Sequence, residues 1–112
     1  MEAKSILFLV WSIMSWQSIA ANYIPNPQEQ KFADHIKNQS FVKAVEWSQQ
    51  GSLWLSVINS PGTNASLYEQ LSYGICNDGN QQGLNNFFVH IWDAQAMLAG
   101  KMKRLTDKVY CQ

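Results

Sequence analysis

The side chains best placed to do acid–base work are His90 and Asp93, a histidine in the apolar run Phe87-Phe-Val-His-Ile-Trp92 and an acid three residues on. An imidazole exchanges protons near neutral pH, and a nearby carboxylate can orient it, so the pair would suit a small hydrolase or a ligand-binding enzyme. Each residue also has a structural explanation. Asp93 stands where an N-cap would open the last helix, and His90 is flanked by Phe88 and Trp92 on one side of a strand. No catalytic residue is therefore assigned, and the protein is expected not to be an enzyme. A serine nucleophile would need a Gly-x-Ser-x-Gly elbow, which the sequence lacks. The only other histidine is His35, and no Cys-x-x-Cys or His-x-x-x-His spacing occurs, so neither a metal nor another cofactor is expected.

Recognition chemistry is better represented. Trp47, Trp54, Trp92, Tyr68, Tyr73 and Tyr110 are many large rings for a small domain. Such residues anchor protein interfaces and sugar-stacking sites, or else fill a small core. Trp54 alternates with the inward set Leu53, Leu55 and Val57, which marks it as the outward ring. Lys101, Arg104 and Lys108 recur at helical spacing, so they are expected on one face of the last helix. There they suit its C-terminal dipole or dock an anionic partner or lipid head group. The candidate binding surface is thus Trp54, Trp92, His90, Lys101, Arg104 and Lys108.

The chain of 112 residues has eight basic and eight acidic side chains. Lys4 precedes the apolar run Ser5–Trp16, and Ser18 and Ala20 supply small residues at spacing two. This pattern predicts a signal peptide over residues 1–20, cleaved before Ala21, with cleavage after Ala21 the alternative. The apolar stretch falls short of the roughly 20 residues that span a bilayer, and no cysteine follows it to take a lipid. The mature domain would then be 21–112, exported to a periplasm or the extracellular space, with the signal's Lys4 and Glu2 removed. Its charges balance, so it lacks the positive field that nonspecific nucleic-acid binding requires. Both cysteines, Cys76 and Cys111, lie in this part. In an oxidising compartment they should pair, closing a loop of about 35 residues worth roughly 3 to 4 kcal/mol by chain entropy.

The elements that position these residues read as follows. Asn26, Pro27 and Glu29 form the signature of a helix start, and Phe32, Ala33 and Ile36 give it an apolar stripe to about Asn38, with Glu29, Lys31, Asp34 and Lys37 facing water. Ser40–Trp47 alternates and reads as a strand, with Phe41, Lys43, Val45 and Trp47 on one side. Helix is the competing reading. A turn at Gln49–Ser52 joins it to a strand over Leu53–Ile58. After the loop Ser60–Asn64, Leu67, Leu71 and Ile75 predict a helix ended by Gly79. Phe87–Trp92 is a strand apolar on both sides, and Ala94–Lys108 reads as a helix with Leu98, Met102, Leu105 and Val109 on one stripe.

The order α-β-β-α-β-α predicts a small α+β domain. Its three-stranded sheet carries helices on one face, with the third strand parallel to the second and the first between them. Asn38-Gln39-Ser40 and Asn64-Ala65-Ser66 match the N-glycosylation pattern, which matters only in a eukaryotic host. The leading functional expectation is a non-enzymatic exported protein that binds another envelope or secreted protein, as an inhibitor, immunity factor or assembly accessory does. The alternatives are the His90/Asp93 enzyme and a structural envelope component.

Overall fold

The computed structural model describes residues 23–60 and 62–112, so the expected signal peptide and its cleavage site lie outside the described residues. Helix α1 (Pro27–Lys37) opens as expected. The Asn26 side chain accepts from the Glu29 N–H at 2.8 Å, and the Glu29 carboxylate accepts from the Asn26 N–H at 2.9 Å. Glu29 does not face water, however. It is buried because its carboxylate also accepts from the Tyr23 hydroxyl at 2.6 Å and its carbonyl accepts from the Trp47 indole N–H at 2.8 Å. The hydrogen bond to Glu29 pushes the Tyr23 phenol up to about 12, helped by burial and the carboxylate's charge.

Strands β1 (Val42–Gln49) and β2 (Ser52–Val57) form an antiparallel hairpin turned at Gly51, where φ is +76°. Two register irregularities leave Lys43 and Ser48 without a partner across the ladder. These bulges overturn the simple alternation expected of this strand. Val42, Val45 and Trp47 all pair with the core-facing set Val57, Leu55 and Leu53, although a regular strand would point Val42 and Trp47 to opposite sides. Lys43 is exposed at the first bulge.

Helix α2 (Ala65–Gln81) is capped by Asn64, whose side chain accepts from the Leu67 N–H. It turns Tyr68, Ser72, Ile75, Cys76 and Gly79 inward, whereas Leu67, expected on that stripe, is exposed. Gly79 does not end the helix. A Cβ there would lie 2.7 Å from Cζ of Phe87, so the glycine lets the helix approach the sheet closely, and the chain turns only at Gly83, where φ is +87°.

Strand β3 (Phe87–Asp93) runs parallel to β2, as expected, but β2 rather than β1 lies between its neighbours. The bulged, partly polar β1 suits an edge, while β2 and β3 are largely buried on both sides and take the centre. Asp93 caps α3 as expected, but α3 is only Ala94–Leu98. Gly100, at φ +80°, turns the chain back along β3. There the Asp93 N–H donates to the Lys103 carbonyl and the Leu105 N–H to the Ile91 carbonyl, and β4 (Val109–Cys111) pairs antiparallel with Phe87–Val89. The sheet therefore has four strands in the order β1-β2-β3-β4, not three. The expected stripe on a long last helix is absent: Leu98 is 90% exposed, and Val109 reaches the core from β4.

Phe32 and Ile36 of α1, Tyr68 and Ile75 of α2, and Leu53, Leu55, Val57, Phe87, Val89 and Ile91 of the sheet form one core, with both long helices on the same side. The Cys76–Cys111 disulfide joins α2 to β4 across a Cα separation of 5.1 Å. No helix of the described residues is long and apolar enough to cross a membrane.

Replacing Cys111 with Ser should lower stability by roughly 2 to 5 kcal/mol, measured by chemical denaturation. Equal stability of the variant and the oxidised wild type would show that core contacts alone hold β4. The two glycines inside α2 should respond oppositely to alanine. At Gly74 an added Cβ meets nothing within 4 Å, so the gain in helix propensity should stabilise by up to ~1 kcal/mol. Gly79→Ala should instead destabilise by ~1–3 kcal/mol, because the buried Phe87 ring has no room to give. Thermal melting of the two variants side by side checks both signs.

Candidate recognition surface

Residues that alternate with the core set project from the other side of the sheet, opposite α1 and α2. The ladder arranges them in three rows. Gln49, Ser52, Phe88 and Tyr110 form one; Glu46, Trp54 and His90 the next; Ala44, Ser56, Trp92 and Arg104 the third. β1 contributes Ala44, Glu46 and Gln49, while the rings come from β2, β3 and β4.

The rings touch continuously. Trp54 contacts both His90 and Trp92, at centroid distances of 6.0 and 5.1 Å, and the His90 and Trp92 rings lie parallel to within 2°. Phe88 contacts Tyr110 at 4.9 Å and His90 at 6.4 Å. Two cations cover the cluster: the Arg104 guanidinium lies 4.3 Å from the Trp92 ring centroid, and the Lys108 ammonium 4.9 Å from that of Phe88. Such pairs are worth about 0.5–1 kcal/mol when exposed and ~2 when desolvated. They also bias two long side chains towards the rings, which project from the strands.

Arg104 Nη1 lies 3.1 Å from His90 Nδ1, and a guanidinium can only donate, so Nδ1 accepts and the imidazole proton sits on Nε2. Burial, then the charges of Arg104 and Lys108, lower the His90 pKa to about 4, which keeps it neutral. The Trp92 indole N–H is buried with no acceptor among the described residues. Beside the rings, an open depression of about 540 Å³ runs between the hairpin tip at Gln50–Gly51 and Trp54, Phe88 and Lys108. Asn86 lines its rim in a left-handed conformation, φ 60°, and accepts from the Tyr110 hydroxyl at 2.9 Å.

Of the residues expected to form a binding surface, the fold brings Trp54, Trp92, His90, Arg104 and Lys108 together. It leaves Lys101 out: this residue follows the Gly100 turn, donates its backbone N–H to the Ala96 carbonyl, and is exposed beyond the end of the short last helix. The basic residues do not share a helix face, since the last helix ends at Leu98. Arg104 and Lys108 reach the surface from the extended return segment instead. His90 and Asp93 are not brought together. Strand alternation puts them on opposite sides of β3, and the Asp93 carboxylate accepts from the Gln95 and Ala96 N–H groups as a helix cap. Phe88, Tyr110 and Glu46 belong to the surface although they were not among the residues expected to form it. The alternation Phe88, His90, Trp92 carried the signal for the first, while Tyr110, named among the large rings, follows a segment expected to be helical to Lys108, and no strand was expected there.

A histidine whose folded pKa lies below its unfolded value contributes stability above the unfolded pKa. That stability is lost as pH falls from about 6.5 towards 4. The melting temperature should therefore drop over this window more steeply in the wild type than in His90→Gln, whose amide oxygen can still accept from Arg104. Parallel curves for the two proteins would place the acid sensitivity elsewhere.

Comparison with known proteins adds no relative: no family model, no curated protein and no solved structure matches this chain.

Proposed function

We propose that this is an exported, non-enzymatic domain that acts by binding protein through the open side of its sheet. The observation that carries the reading is the ring-and-cation cluster of β2, β3, β4 and the segment before β4, in which Arg104 and Lys108 lie over a nearly continuous aromatic floor beside His90. Rigid aromatic anchors beside arginine are what interface energetics favour, because little side-chain entropy is lost when they are covered. The disulfide and the lack of a membrane-crossing helix among the described residues are compatible with an exported protein.

Site-specific photo-cross-linking tests this reading. Benzoylphenylalanine replacing Tyr110, which is 46% exposed on the surface, should give a discrete protein adduct when the exported protein is irradiated in an extract of its producing cells. The same probe replacing Tyr73, exposed on α2, should give none. Trp54→Ala should suppress the Tyr110-position adduct without unfolding the domain. Equal labelling from both positions, or none from either, would remove the basis for assigning recognition to this side of the sheet.

A further inference from the structure

We propose that the partner of this surface is a second copy of the chain. The two copies dock sheet to sheet about a two-fold axis parallel to the strands, so that Glu46 of each lies between Arg104 and Lys108 of the other. The proposal rests on reading the open side as a protein-binding surface.

Charge placement argues for it. Among the described strands, the only carboxylate on this side is Glu46 on β1; Asp93 points to the other side, and Asp107 lies in the connection before β4. The cations sit at the opposite edge, on the return segment and before β4. Three strand spacings of ~4.8 Å separate the two edges, too far for Glu46 to meet either cation within its own chain. Burial raises the Glu46 pKa, and the carboxylate has no ion-pair partner among the described residues. Each copy thus holds a partly desolvated acid at one edge and donors lacking a carboxylate at the other.

The ladder register selects the axis. A two-fold parallel to the strands exchanges the edges and keeps the height along each strand, so β1 of one copy faces the return segment and β4 of the other. Glu46 shares its row with Trp54 and His90. Arg104 is paired to Trp92, one row to one side, and Lys108 lies over Phe88, one row to the other. The facing carboxylate therefore falls between the two cations, within the tolerance set by the usual twist between stacked sheets about 10 Å apart. A two-fold across the strands would instead set each edge against its own copy, acid against acid and base against base. The zero formal net charge leaves no overall repulsion between copies. Such an interface is isologous and closes as a dimer.

Charge reversal decides the matter. Sedimentation of the exported protein at low salt over an about hundredfold concentration range should show a monomer–dimer equilibrium that weakens as salt is added. Glu46→Lys alone, and Arg104→Glu with Lys108→Glu together, should each weaken self-association at least about tenfold. Mixing these two variants should restore a dimer containing one of each, because every facing pair is then of opposite sign. If Arg104→Glu beside Trp92 impairs folding, Arg104→Gln with Lys108→Glu replaces the double variant, leaving no like-charged facing pair in the mixture. A wild type that stays monomeric throughout, a dimer indifferent to both reversals, or failure of the mixture to associate would each overturn the proposal. If the protein is monomeric while the Tyr110-position probe still labels a different protein, the surface binds protein but not itself. If that probe labels nothing, both readings fall together.

Discussion

Strand β3 must be covered on both sides, and most of the architecture follows from that requirement. Phe87, Val89 and Ile91 point into the core, while Phe88, His90 and Trp92 point the other way. One side is met by α1 and α2, which bring Phe32, Tyr68 and Ile75 onto it. Among the described residues, the other receives no long helix. It is met by neighbouring side chains: Trp54 from β2, Tyr110 from β4 and Arg104 from the return segment. Even so, Trp92 is only 6% exposed. A central strand with a parallel neighbour ordinarily has helices on both of its faces, and among the described residues aromatic rings with cations above them lie on this second side.

Local chemistry made much of this legible. The Asn26 capping box and the Asp93 cap each depend on a few adjacent residues, so their side-chain hydrogen bonds could be inferred from spacing alone. The Cys76–Cys111 pairing followed from there being only two cysteines. What could not be read was decided at longer range. Leu98, Met102 and Leu105 keep helical spacing, but the positive φ at Gly100 breaks the segment, and the free edge of β3 offers a ladder that a solitary helix could not match. Glu29 looked solvated because its two further partners, Tyr23 and Trp47, come from outside the helix. Neither bulge of β1 carries a glycine or another local mark.

The candidate surface divides in the same way. Trp54, His90 and Trp92 were identifiable because strand alternation is a property of the segment itself. Arg104 and Lys108 were picked out on helical spacing and reach the surface from an extended chain. Lys101, chosen on the same spacing, does not. Glu46 acquires meaning only from the strand order, which sets it at the edge opposite the cations, in the row of Trp54 and His90.

The bulges at Lys43 and Ser48 also bear on how this domain behaves when crowded. An open sheet ends in strands whose backbone groups invite further strands to add, and continued addition leads to ribbons and fibrils. Here β1 is irregular near both ends, which leaves only a short flat stretch, and β4 at the far edge is three residues long. Neither border offers a template on which a foreign strand could zip up. Among the described residues, both borders of the sheet are thus blunted, which disfavours open-ended addition of strands.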